Sequence, residues 1–362
     1  MTHTHAEHKD IYLFGFPIAH SGAPSLHNLV FESIGSPCTY KLWSTSAVTQ
    51  AVLDELRSAS SGGAAVTMPL KAEIMKYLDE ISPEGYATGA CNTVVPVEVN
   101  GHRKLVGTNT DFLGVRNSLL AALGTQHPGV SVGTTATYAP GQASGMVIGG
   151  GATTRSAVHA LYTLGMNPIF LANRDAAEVA DTIAHFDSRS DPANPNRLRL
   201  IHLTSVEQVE GHLGPNATDR LPGIAMVVGA IPAIAPKSFE ERMVYTIATH
   251  IFTLPFQPGN ATGDLPIPSP RIFLDMAYKP RLTPLLKIAA ALGWQDVGGV
   301  QAMIEQGLAQ QRMWKMGSSS VAVASDESIL DAETCRKARV FVENMTDIVP
   351  TEPEVDRAKT SV

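Results

Sequence analysis

The feature that most constrains this 362-residue chain is the apolar run Gly145-Met146-Val147-Ile148, which ends in Gly149-Gly150-Gly151 and passes at once into a helical stretch. Ala157, Leu161 and Leu164 fall on one face of that helix, and a second strand, NPIFLA (167–172), follows. A strand that enters a helix through glycines lets backbone N–H groups approach a pyrophosphate at the helix N-terminus. Gly149, Gly150, Gly151, Ala152 and Thr153 are therefore candidate cofactor contacts. The third position of the G-x-G-x-x-G pattern is Thr154, which predicts slightly wider packing of helix on strand. Asn173-Arg174-Asp175 ends the second strand, where such a fold reads the adenosine ribose. Arg174 suits the 2′-phosphate of NADP. Asp175 and Glu178 oppose a phosphate but accept ribose hydroxyls, so the reading leans to NAD over NADP.

The surrounding pattern extends this module. Further strand candidates are LRLIHL (198–203), IAMVVGA (224–230) and RIFLDM (271–276), with Ala230 at a strand end near the glycine turn. Together they predict a doubly wound, Rossmann-type sheet over 145–298. Before it, residues 11–122 alternate short apolar strands with amphipathic stretches: IYLFGF, PSLHNLVFESIG, CTYKLW, VTQAVLDELRSA, GAAVTM. That alternation predicts an α/β domain with a mostly parallel sheet. The expected division is 1–125 for this first domain, 126–144 for a Gly/Thr/Pro-rich linker and 145–298 for the nucleotide domain. Helices at 299–349 return to the first domain, and 350–362 is a loose tail. Stretches 187–197 and 253–270 read as surface insertions.

Composition narrows the partners. Lys plus Arg total 27 against 34 Asp plus Glu, a net charge of −7 without basic runs, which argues against nucleic acid and anionic membranes. No apolar run approaches the ~20 residues that span a bilayer, and the N-terminus shows no secretory pattern. Cys38, Cys91 and Cys335 have no metal or disulfide spacing, which suggests a reducing, cytoplasmic setting. His3, His5 and His8 lack a supporting carboxylate cluster, and no metal site is expected. Trp43, Trp294 and Trp314 read as core residues, as do His20, His27 and Cys91.

Four short motifs in the first domain sit at strand ends or turns, where sites on open sheets form: HSGAPSLHN (20–28), GAAVTMPLK (63–71), GACNTVV (89–95) and GTNTDFLGV (107–115). Lys71 and Asp111 are a plausible proton-transfer unit, the carboxylate orienting the amine. Either residue taken alone reads more simply as a solvated lysine or a helix-capping aspartate.

In this order, ahead of a dinucleotide module, the motifs resemble the shikimate/quinate dehydrogenase family, from IYLFGFPIAHS to GGVQAMIEQG (298–307). The resemblance implies an NAD(P)-dependent dehydrogenase that interconverts a cyclic polyhydroxy carboxylate and its 3-keto form without a metal. It implies Lys71 and Asp111 as the catalytic pair, and Asn92 and Gln306 as partners of ring hydroxyls. Ser21, Thr67 and Tyr278 would approach the substrate carboxylate, and Gly299 the nicotinamide end. Two positions depart from the pattern: Ala23 replaces a Ser or Thr, and Ala65 replaces an Asn. Shikimate, quinate or an amino analogue all fit, as does a non-catalytic metabolite sensor that kept the pocket. The implied partners are a small ring carboxylate and a nicotinamide cofactor, with the protein a monomer or homodimer. An acidic chain must gather cations for such anions, and Lys71 and Arg174 are the expected ones.

Overall fold

The computed structural model describes residues 7–129 and 136–360, apart from positions 192, 195, 219, 347, 349 and 351. His3, His5 and the 130–135 part of the expected linker lie outside the described residues. The chain forms two units, Met1–Thr110 with Ile304–Val362, and Asp111–Met303.

The first unit begins β1 (Asp10–Gly15), α1 (Ala23–Ser33), β2 (Thr39–Ser44), α2 (Gln50–Arg57) and β3 (Ser61–Val66). It continues through β4 (Glu80–Ile81), α3 (Pro83–Thr88), β5 (Thr93–Val99) and β6 (His102–Thr108). Local chemistry starts each helix: Pro24 lies in the first turn of α1, and the Thr49 and Ser82 hydroxyls accept backbone N–H groups of α2 and α3. The sheet order is β2-β1-β3-β5-β6-β4. Its pairs are parallel except β3–β5 and β5–β6, and in the second of these the Asn100-Gly101 turn closes a tight hairpin with both residues at positive φ. Apolar clusters cover both faces, one around Phe14, Val66, Leu70 and Val94, the other around Ile11, Leu13, Phe31 and Tyr40. Ala65 packs in the second cluster.

The second unit comprises α4 (Asp111–Gln126), β7 (Ser144–Ile148), α5 (Ala152–Thr163), β8 (Ile169–Ala172), α6 (Ala176–Asp187), β9 (Leu200–His202) and α7 (Val206–Leu213). It goes on through β10 (Ile224–Gly229), α8 (Phe239–Thr253), β11 (Ile272–Asp275), α9 (Pro284–Ala291) and β12 (Gln295–Gly298). Every strand pair is parallel, in the order β12-β11-β10-β7-β8-β9. This is a doubly wound sheet whose strand order reverses between β7 and β10. β7, β8, β10 and β11 are buried along their whole length, as strands covered on both faces must be. α5 approaches the sheet closely at two glycines: a Cβ on Gly149 would stand 2.6 Å from Thr154 Oγ1, and one on Gly145 2.9 Å from Leu161 Cδ1.

Helix α10 (Gly299–Met316) leads back to the first unit, which ends with α11 (Val321–Ser325), α12 (Ala332–Asn344) and α13 (Arg357–Thr360).

Two expectations change. The linker candidate begins inside α4, and its described residues 136–143 are packed: Tyr138 is buried and its hydroxyl donates to Pro266 O at 3.0 Å. The 253–270 insertion supplies the partners, with Gly259 N donating to Gln142 O at 2.9 Å and Gln142 Nε2 to Leu265 O at 3.2 Å. The tail is also tied down. Glu354 Oε1 accepts from Ile18 N at 2.7 Å and Ser44 Oγ at 2.5 Å, and Asp356 Oδ1 from Ser46 N at 3.0 Å.

Candidate active site

In the first unit, loops at strand ends are locked together by main-chain bonds. Thr67 N donates to Phe14 O at 2.8 Å, Phe16 N to Met68 O at 3.0 Å, and Cys91 N to Lys71 O at 2.8 Å. Gly15 permits this approach, because a Cβ at its φ of +157° would stand 2.8 Å from Met68 O. Thr67 and Lys71, both half-buried, thus sit on a turn whose backbone is held by β1 and the Cys91 loop. Ser21 lies just before α1, its Oγ accepting from Ala23 N at 3.2 Å. His27, Cys91 and Trp314 are structural here. His27 is fully buried and stacks on Tyr40, and Trp314 Nε1 donates to Val94 O at 3.1 Å. Burial pushes the Cys91 thiol up to about 12, which leaves it an inert apolar filler.

Asn92 and Gln306 come together. Asn92 Oδ1 accepts from Thr110 N and Thr93 Oγ1, each at 2.7 Å, while its Nδ2 donates to Thr110 Oγ1 at 3.0 Å and Gln306 Oε1 at 3.3 Å. Gln310 Nε2 adds a bond to Thr93 Oγ1 at 2.9 Å. Sequence reasoning missed Thr110 and Gln310. The signal for Gln310 was its position one helical turn after Gln306 on α10.

In the second unit, Asp111 opens α4, Tyr278 follows β11, and Gly299 opens α10. A Cβ on Gly299 would stand 2.7 Å from Asp275 O, so this turn admits only glycine. Asp275 was not anticipated. It is buried, its carboxyl held above the ordinary range by that burial, and it accepts from Thr283 Oγ1 at 2.6 Å.

The glycine turn lies at the reversal between β7 and β10, as the motif predicts. Gly149 has φ +150°, and a Cβ there would stand 2.9 Å from Ala230 O. Gly151 differs: a Cβ on it would meet no atom within 4 Å. Beside it is a cavity of about 430 Å³, lined by Gly150, Gly151, Asn173, Arg174, Glu178 and Ala230 together with the N-terminal part of α8 and the loop before it. A glycine whose missing side chain opens onto a cavity at a helix N-terminus fits a dinucleotide pyrophosphate.

Glu178 and Glu241 edge this cavity, and Asp175 follows Arg174 in the chain. Asp175 Oδ1 caps α6 through Ala177 N at 2.8 Å, and Glu178 Oε2 accepts from Asn173 Nδ2 at 2.8 Å. Arg174 Nη1 is ion-paired with Glu241 Oε1 on α8, so the expected cation already has a partner. Glu241 was missed because it reads as local helix chemistry, and it is indeed half of a capping box with Ser238. Among the described residues, no group of three or more His, Cys, Asp or Glu side chains is placed to hold a metal, and no helix is long and apolar enough to cross a membrane.

Comparison with known proteins agrees with this fold. Residues 13–94 match the model of the shikimate dehydrogenase substrate binding domain. The chain is 34% identical over 306 residues to the pentafunctional AROM polypeptide of Schizosaccharomyces japonicus, covering 84% of this chain and 17% of that protein. It therefore spans under a fifth of the length of the curated relatives it matches. The dehydroquinate dehydratase and shikimate dehydrogenase part of the S. pombe AroM protein superposes with TM-score 0.64 at 29% identity, over 90% of this chain and 53% of that one. The shikimate 5-dehydrogenase of Listeria monocytogenes, solved with shikimate and NAD, gives TM-score 0.62 at 23% identity over 90% of this chain and 98% of its own. With motifs, sheet order and glycine turn in agreement, the chain is similar to the shikimate/quinate dehydrogenase family along most of its length, and residues 13–94 match that family's substrate binding domain.

Proposed function

We propose that this protein is an NAD(P)-dependent dehydrogenase that oxidises a ring hydroxyl of a cyclic polyhydroxy carboxylate of the shikimate or quinate type, and reduces the corresponding ketone. The observation that carries the reading is the pairing, in one chain, of the Asn92–Thr110–Gln306 network, buried at Asn92 and Thr110 and half-buried at Gln306, with a glycine turn that opens onto a cavity at the β7/β10 reversal.

Each residue then has a definable task. Gly149, Gly150, Gly151, Ala152 and Thr153 would hold the pyrophosphate through main-chain N–H groups. Asn173, Arg174 and Asp175 would meet the adenosine ribose, and Ala230 and Gly299 would border the rest of the cofactor. The nicotinamide, when bound, supplies the hydride acceptor. Lys71 Nζ takes the hydroxyl proton as the carbinol carbon loses hydride and returns it in the reverse direction, with Asp111 hydrogen-bonded in the same region. Asn92 and Gln306 hold neighbouring ring hydroxyls. Ser21, Thr67 and Tyr278 approach the carboxylate. No step uses a metal.

The three cysteines are free thiols, which suits a reducing, cytoplasmic setting. A second reading, a non-catalytic sensor of the same ring acids, rests on Ala23 and Ala65, where the family carries polar groups. The test is a matrix of shikimate, quinate and their amino analogues against NAD and NADP, followed by nicotinamide absorbance and, in parallel, by calorimetry. Turnover with at least one pair is expected. Tight ring-acid binding with no turnover for any pair would overturn the enzyme reading and leave the sensor.

A further inference from the structure

We propose that Glu241, on α8, is a positioning residue that withholds Arg174 from the cofactor 2′-phosphate and so sets the dinucleotide preference of this protein. The inference rests on the dinucleotide reading above and adds a residue that the glycine motif does not contain.

The geometry is specific. Arg174 follows the end of β8, where the adenosine ribose is read, and its side chain is 64% exposed beside the cavity. Its Nη1 meets Glu241 Oε1. The other carboxylate oxygen, Oε2, accepts from Lys237 N at 2.7 Å and Ser238 N at 3.1 Å. Glu241 is thereby fixed by the backbone of its own helix start, with one oxygen left for the guanidinium. Those two N–H groups, then Arg174, hold its carboxyl down to about 2, so it is ionised at any working pH.

Charge around the ribose end then decides the ligand. A 2′-phosphate brings nearly two negative charges and would need Arg174 as a bidentate partner. In this cavity it would have to share Arg174 with Glu241 while facing Glu178, with Asp175 nearby. Ribose hydroxyls carry no charge and donate to carboxylates, so the same arrangement suits NAD. Lys237 also lines the cavity, but its main-chain N–H is the group that engages Glu241, and its ammonium is the remaining cation a phosphate could recruit.

Glu241→Gln tests this with little change in shape, since the amide oxygen can still accept from Lys237 and Ser238. Dissociation constants for NAD and NADP would be measured by calorimetry on the wild-type chain, Glu241→Gln, Arg174→Gln and the double variant. The expected results are about tenfold tighter NADP binding in Glu241→Gln, NAD within about twofold, and loss of the gain in the double variant. Arg174→Gln alone should weaken NADP by less than about threefold, because Glu241 already engages most of the guanidinium's capacity. The proposal is overturned if Glu241→Gln shifts both dinucleotides equally, if the gain survives without Arg174, or if Arg174→Gln alone weakens NADP about tenfold. The last arm stands even where Glu241→Gln fails to fold. Absence of any dinucleotide binding to the wild-type chain is a different outcome: it removes the cofactor reading itself, and this proposal with it.

Discussion

Lys71 shows what a single residue can and cannot announce. As a lysine after a proline it reads more simply as a solvated side chain, and only the order of four motifs suggests the role proposed for it. The structure adds that its turn is pinned by main-chain bonds from β1 and from Cys91, and the relay proposed above would need such a fixed backbone. Replacing Lys71 with Met should lower kcat by about two to four orders of magnitude, the range for a lost general acid–base group, while calorimetric binding of the cofactor stays within about twofold. A variant that keeps most of its turnover would remove Lys71 from the mechanism. Asn92 and Gln306 were legible in the same way. Thr110, Gln310 and Glu241 were not, because their partners are supplied by tertiary folding: Glu241 lies 67 positions from Arg174 in the chain and meets it across two elements.

At the scale of elements, strands and helices with a clear period were legible, and low-period stretches were not. Residues 136–143 and 253–270 show no periodicity, yet each satisfies the other's backbone groups, a pairing that no local pattern encodes. The glycine turn yields a paired prediction. Gly151→Ala adds a methyl where no atom lies within 4 Å, so the variant should keep its melting temperature within about 2 °C and lose dinucleotide affinity about tenfold or more. Gly149→Ala places a methyl 2.9 Å from Ala230 O at a positive φ, so it should lower the melting temperature markedly. Equal thermal effects from the two would mean that the turn is shaped by packing alone.

At the scale of the whole molecule, the α/β class and the presence of two modules could be read from alternating strands and helices. The docking of the C-terminal tail could not, because TEPEVDRAKTSV has neither period nor apolar face. Its anchors are polar contacts to residues far away in sequence, and Arg357 lies 4.6 Å over the Trp43 ring. Truncation before Glu354 should therefore lower the melting temperature by about 2–4 °C, the equivalent of roughly 1 kcal/mol for a unit of this size. No change on truncation would mean that the tail contacts contribute nothing.

Each unit also carries a neutral histidine shielded from water, His27 fully buried and His159 half-buried. Burial pulls His27 down to about 3 and His159 down to about 4. In the unfolded chain each protonates near its ordinary value of 6.5. Below that pH the unfolded state binds protons that the folded state refuses, so stability falls as pH drops from about 6.5 and stops falling at the folded values. Urea unfolding should show a loss of roughly 2 kcal/mol per histidine between pH 7 and pH 5. His159→Gln should flatten the slope for the second unit, and an unchanged slope would mean that His159 titrates normally.

The central claim, direct hydride transfer between a ring carbinol and a nicotinamide, is tested most directly with shikimate and quinate deuterated at the carbon that is oxidised. The reduced cofactor isolated after one turnover, NADH or NADPH, should carry the deuteron on its nicotinamide ring, and its formation should be slower than with unlabelled acid when hydride transfer limits the rate. Reduced cofactor without the label, or none from either acid, would contradict the account.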